Sequence, residues 1–265
     1  MLQIKTDIMD STKESRKRKI LRTISALQHM YDVGLLGGSV MPEDENPGLE
    51  QGSLENYTYF TLPMALNYQR NSYKLWVSAN QTFKDIRTKS VFEPKKVVKM
   101  DCEQLKVFLT QYNLALQPNK QTDIWKRICG AIDNLFDGDI RNLFIENKWS
   151  IPSILEYVQK INKPLFPYLS GEKICHYWLY VIGEYTNAPF TGKEFLSIVP
   201  DTHIIQATLR LELLSGYSES NVRQKVCQVW SELLEETGII PVDVHTLLWL
   251  WSRSGFPDFE DYIQL

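Results

Sequence analysis

The sequence holds little that points to metal or redox chemistry. Its four cysteines, Cys102, Cys129, Cys175 and Cys227, lie far apart, and no C-x-x-C pair or Cys/His cluster is present. A structural zinc or an iron–sulfur cluster is therefore not expected, no cofactor is implied, and the thiols are expected to be buried and free. Long apolar runs are also missing: Leu247–Trp251 is about as long as an uninterrupted one gets, far short of the ~20 residues of a membrane span. No apolar h-region stands near the start, so a secretory signal is not expected and a cytoplasmic protein is. With 13 Gly and 12 Pro, neither a collagenous nor a linker-dominated chain fits. There is no basic excess either. Lys+Arg 29 against Asp+Glu 32 leaves a net charge of −3 and a pI near 5.9, a balance that weighs against nucleic acid as a partner but leaves a local basic face open.

What is present is an ordinary folding composition over 265 residues, with 43% hydrophobic, 23% charged and 12% aromatic residues. Period-2 alternation is almost absent, so the fold class is all-α. Ile20, Leu21, Ile24, Leu27 and Met30 sit at helical spacing within 11–31. The following Gly-, Pro- and acid-rich stretch reads as a long surface connection. A helix is expected from Tyr59 to Asp85 with Pro63 near its first turn, where a missing N–H costs little. Further helices are expected over 101–117, 121–136, 138–146, 151–161, 172–185, from about Asp201, over 219–237 and over 241–252. The organisation anticipated is a two-lobed helical bundle: 1–54 as an N-terminal helix and linker on the C-terminal lobe, 55–165 as one lobe, and 166–265 as the other, opened by a turn around Ser170-Gly171.

The stretch from Phe166 to Arg253 carries the most specific pattern. A turn with Gly171 leads to Lys173 at the start of a helix, and Val199-Pro-Asp-Thr-His-Ile204 and Arg210-Leu211 follow. Upstream, Phe60–Asn71 reads F-T-L-P-M-A-L-N-Y-Q-R-N. This order resembles the helix-hairpin-helix DNA glycosylase superfamily, which includes endonuclease III and the 8-oxoguanine glycosylases. The long interval between Lys173 and Asp201 and the missing four-cysteine cluster are most similar to the archaeal-type 8-oxoguanine enzymes. The resemblance covers about residues 55–255 in helix order and is sharpest at Lys173 and Pro200–His203. It implies a helix-hairpin-helix between the lobes and a monomeric base-excision enzyme, glycosylase and AP lyase. Such an enzyme flips a damaged, oxidised purine out of double-stranded DNA into an interlobe cleft. It also implies Lys173 and Asp201 as catalytic residues, and Gln69, Asn71, Ser170, Gly171, Trp178, His203 and Trp249 as substrate or DNA contacts. A second register, Lys225 with Asp243 in P-V-D-V-H, has a similar shape but no glycine for a hairpin near Lys225.

The residue types suit that chemistry. Breaking an N-glycosidic bond builds positive charge on the sugar, which a fixed carboxylate stabilises. A lysine amine desolvated by neighbours such as Tyr177 and Trp178 can attack C1′ and form a Schiff base. Each residue also has a plainer reading. Asp201 after a proline suits a helix N-cap, Lys173 a solvated first turn, and His203 and His245 structural hydrogen bonds. Gln69 and Asn71 suit caps or interface hydrogen bonds rather than a wedge in DNA, and Trp249 and Trp251 core packing rather than a stacking wall. The Ser170-Gly171 turn is either a phosphate-binding hairpin or a simple connection. Lys13, Arg16, Lys17, Arg18 and Lys19, with Lys95, Lys96 and Lys99, are the candidates for phosphate contacts, or only wet helix faces. Two other functions remain open: hydrolysis of a modified nucleoside or nucleotide, as in queuosine salvage, and a non-catalytic helical binding module.

Overall fold

The computed structural model describes residues 2–36 and 41–262, with side chains from Glu14 onward. Among the described residues there are α-helices, short 3₁₀ turns and no strand. In chain order the α-helices are α1 (Leu2–Asp32), α2 (Leu54–Thr61), α3 (Ser72–Lys84), α4 (Pro94–Val97), α5 (Cys102–Gln111), α6 (Pro118–Phe136), α7 (Arg141–Glu146), α8 (Ile151–Glu156), α9 (Glu172–Tyr185), α10 (Thr202–Arg210), α11 (Val222–Leu234) and α12 (His245–Arg253). The protein is all-α. Contacts divide the chain into two compact units, Met1–Ser39 with Ser197–Leu265, and Val40–Leu196. Residues 41–54 and 166–196, read from the sequence as parts of the C-terminal lobe, belong to the second unit.

In the first unit, Ile20, Ile24, Leu27 and Met30 make the buried stripe of α1, which packs on α11 and α12. The basic run on the same helix is partly structural. Arg16 donates to the Glu212 carbonyl at 2.9 Å just beyond α10, and Lys17 donates to the Glu235 carbonyl that ends α11. Cations at the carbonyl ends of helices satisfy unpaired acceptors and oppose the helix dipole. Arg18 pairs with Glu14 at 3.3 Å, Lys95 with Asp137 at 2.6 Å and Lys96 with Glu93 at 2.8 Å. These side chains, expected as phosphate contacts, are thus engaged within the protein; the Lys13 side chain lies outside the described residues.

The second unit is built on an aromatic core in which Tyr57, Tyr59, Phe60, Trp76, Trp125, Phe144 and Trp178 are fully buried. The single helix expected over Tyr59–Asp85 is instead two, α2 and α3, joined by a 3₁₀ turn at Pro63–Leu66 and an irregular bend. Pro63 cannot donate to the preceding turn, Gln69 takes a left-handed φ of 48°, and the Asn71 side chain restarts the helix by accepting from Lys74 N–H at 3.0 Å.

The acidic stretch read as a surface connection holds a buried clasp. Glu43 is 1% exposed, and its Oε1 accepts from Trp76 Nε1 at 2.8 Å and from Tyr177 OH at 3.0 Å. Its neighbours are held as well: Asp44 accepts from Tyr185 OH at 2.8 Å, and Glu45 from Asn80 Nδ2 at 2.6 Å. Burial pushes the Glu43 carboxyl up from 4.5 to about 7, the two side-chain donors opposing it only in part. Between those values the native state keeps a proton that the unfolded chain has lost. The resulting stability is full below pH 4.5 and disappears as pH rises through about 7, a span worth about 3 kcal/mol. Urea denaturation across this range should show wild type losing about 3 kcal/mol more than E43Q, which keeps the acceptor and has no charge to bury. Equal pH profiles for the two proteins would contradict the assignment.

Candidate functional site

Asp201 has the most defined environment of the expected catalytic residues. It is the N-cap of α10, and its Oδ1 accepts from Ile204 N–H at 2.9 Å. Its Oδ2 accepts from Trp249 Nε1 at 3.1 Å, which ties the start of α10 to the middle of α12, the helix packed along it. The carboxylate is therefore fixed at both oxygens while the residue stays half-buried. Backbone and indole donors, aimed at opposite oxygens, leave it little rotational freedom.

His203 packs edge-on to the Trp249 ring, with centroids 5.2 Å apart. Its Nδ1 lies 3.2 Å from Ser252 Oγ, which in turn donates to Gln206 Oε1 at 3.2 Å. The Arg253 guanidinium lies 5.2 Å from the Trp249 ring centroid, a cation–π distance. Asp201, His203 and Trp249, expected as site residues from scattered positions, thus form one group in the first unit. Trp249 itself is buried. Its ring is enclosed rather than offered as an open wall, and its indole N–H donates to the Asp201 carboxylate.

The competing register fares differently. Lys225 lies inside α11 with its ammonium donating to the Gly216 carbonyl, so no hairpin introduces it. Asp243 is exposed in the turn before α12.

In the second unit, Lys173 occupies the exposed first turn of α9, after Gly171 as N-cap. The desolvation expected from Tyr177 and Trp178 is not there. Both rings are buried, Tyr177 bonded to Glu43 and Trp178 donating to Thr61 Oγ1 at 3.1 Å. Trp178 is a core residue, enclosed because it sits on the inward stripe of α9. The Ser170 and Gly171 N–H groups, expected to meet a phosphate, donate within the turn to Phe166 and Tyr168 carbonyls at 2.9 and 3.0 Å. Asn71 is a helix cap, whereas Gln69 is exposed at the tip of its bend.

That bend and the turn before α9 meet through residues the sequence reading passed over. Tyr68 and Tyr168 have ring centroids 5.0 Å apart, and Lys120, in the first turn of α6, lies 5.7 and 4.9 Å from them. Only the positions of the two tyrosines, each beside a turn residue that favours irregular backbone, gave any hint of this in the sequence.

Four free cysteines are present, of which Cys129 and Cys175 are buried. Burial raises both thiols, Cys175 to about 12. Cys102 is exposed, contrary to the expectation of uniform burial, because it begins the solvent-facing first turn of α5. Among the described residues no group of His, Cys, Asp or Glu is arranged to hold a metal ion, and no helix is long and apolar enough to cross a membrane. A cavity of about 390 Å³ in the first unit is lined in part by Lys19, Arg210, Trp251, Phe256 and Phe259; of the residues weighed from the sequence it holds Lys19 and Trp251, and neither Asp201, His203 nor Trp249 lines it. No family model matches the chain, and no curated protein matches it.

W249F keeps the ring against His203 but removes the donor to Asp201. Loss of a hydrogen bond to a carboxylate at a partly buried site should lower stability by about 1–3 kcal/mol, measured by urea denaturation. A variant as stable as wild type would show that the indole N–H contributes nothing to holding the acid.

Proposed function

We propose that the chain is a base-excision DNA glycosylase with an associated lyase step, built on a helix-hairpin-helix plan and acting on an oxidised purine such as 8-oxoguanine. The observation that carries this reading is the Asp201 carboxylate, bound at both oxygens and half-exposed. It falls at the position in V-P-D-T-H-I where the resembled superfamily has its catalytic acid. A rigid carboxylate stabilises the oxocarbenium-like sugar without reorganising as charge develops. Lys173 supplies the amine in its deprotonated form: its lone pair attacks C1′ as the C1′–N bond breaks, the base leaves carrying a proton taken from water, and loss of the amine proton with opening of the sugar ring gives the Schiff base from which β-elimination proceeds. The turn of 166–171 leading into α9 is the hairpin of this plan.

Asparagine caps helices about as well as aspartate but accepts at only one of the two positions, so D201N should lose about as much stability as W249F, about 1–3 kcal/mol, and W249F, which keeps the acid, is its control. Against that control D201N should release 8-oxoguanine from duplex DNA slower by about 10²-fold or more. Borohydride should trap wild type on lesion-containing DNA and leave K173A untrapped. An adduct that survives K173A, or wild-type turnover by D201N, would sink the assignment; a non-catalytic module would show no turnover by the wild type at all.

The acidic balance, −3 with a pI near 5.9, favours a second reading, hydrolysis of a small modified nucleoside or nucleotide. Salt titration of DNA binding separates the two. A steep fall in affinity with salt belongs to the repair enzyme, and no measurable DNA binding belongs to the nucleotide hydrolase.

A further inference from the structure

We propose that Tyr68, Tyr168 and Lys120 form a stacking site for one unpaired base of a DNA strand on the surface of the second unit. The inference rests on the reading of the chain as a DNA-acting enzyme and adds to it a preference for locally unpaired DNA. Tyr68 is 42% exposed. Tyr168 stands across from it, with ring centroids 5.0 Å apart and planes 55° apart. The ring of Tyr168 is presented by a left-handed backbone, φ 62°, a conformation unfavourable for a bulky residue and kept where the surroundings enforce it. Here the enforcement is visible. Gly171 N–H returns to the Tyr168 carbonyl at 3.0 Å, and a Cβ at Gly171 would lie 3.1 Å from that oxygen.

The charge around the rings selects the ligand. The Lys120 ammonium sits 4.9 Å from the Tyr168 centroid and 5.7 Å from that of Tyr68, and the Tyr168 hydroxyl holds its proton affinity above the ordinary lysine value. Lys74, Lys163 and Lys173, all exposed, lie on the segments that flank the two tyrosines. Against them those segments carry Glu172. An exposed Tyr68 ring backed by the half-buried Tyr168 ring, with cations beside them, suits the flat base and the phosphate of a single strand. An intact duplex keeps its bases stacked on one another and has none to offer Tyr68. DNA opened at one position has.

Fluorescence anisotropy on undamaged, labelled DNA tests this, with one sequence prepared as a duplex, as a duplex with a central mismatched bubble, and as a single strand. Wild type should bind the bubble and the single strand more tightly than the duplex. Y68A should weaken those two by about 5- to 100-fold and leave duplex affinity within about 2-fold, while Y68F, which keeps a flat ring, should bind as wild type does. K120A should lower the salt slope by about one phosphate contact. Unchanged affinity of Y68A for the bubble and single strand, or an equal loss on all three DNAs, overturns the proposal. Because the DNA is undamaged and nothing turns over, the result is independent of Asp201 and Lys173. An enzyme lacking base excision but showing the Tyr68-dependent preference would refute the proposed chemistry alone, and active excision without that preference would refute the stacking site alone.

Discussion

The first unit is organised around a carboxylate with two obligations. Asp201 must end the backbone of α10 by taking the Ile204 N–H, and it must accept the indole N–H of Trp249 from α12. Both donors are needed to hold a partly buried acid, and both depend on α10 and α12 lying side by side. Their packing brings His203 against Trp249 and Ser252 against His203 and Gln206. The order of the site is thus the order of a helix pair, and disturbing the pair disturbs the acid. Rigidity of this kind is what transition-state stabilisation asks of a carboxylate, since a group that must reorient pays for it during the reaction.

The second unit solves a different problem. Its core is crowded with large rings, several of which carry polar atoms that cannot be left unpaired. Three consecutive acids on a short 3₁₀ turn, Glu43 to Glu45, answer that need by receiving indole, phenol and amide donors from α3 and α9. The cost of burying Glu43 appears as a carboxyl that holds its proton to about pH 7. The same unit displays its bends outward. The interruption at Pro63 and the tight turn before α9 place the exposed Tyr68 against the half-buried Tyr168, so that irregular backbone rather than helix carries this pair of rings.

Much of the helix order was legible because it follows from local rules. Asp201 as a cap, the start of α9 after Gly171 and the apolar stripe of α1 are consequences of spacing and of residues acting within one turn. The misreadings share a cause. Arg16 and Lys17 looked like free cations, the acids near Glu43 looked like a solvated loop, and Trp178 looked like a substrate contact that desolvates Lys173. In each case the partner is distant in the chain: Glu212 and Glu235 for the cations, Trp76 and Tyr177 for Glu43, Thr61 for Trp178.

By itself the sequence determined an all-α protein and the approximate limits of most of its helices, because hydrophobic period, capping residues and turn formers act over a few positions. It also marked Asp201 and Lys173 as the residues whose chemistry repays attention. Only the tertiary structure decided that Trp249 grips Asp201 instead of facing a ligand, that Glu43 is interior, and that Tyr68 finds Tyr168 and Lys120. Those outcomes depend on which side chains meet after the helices pack, and no local pattern encodes the identity of a partner a hundred residues away.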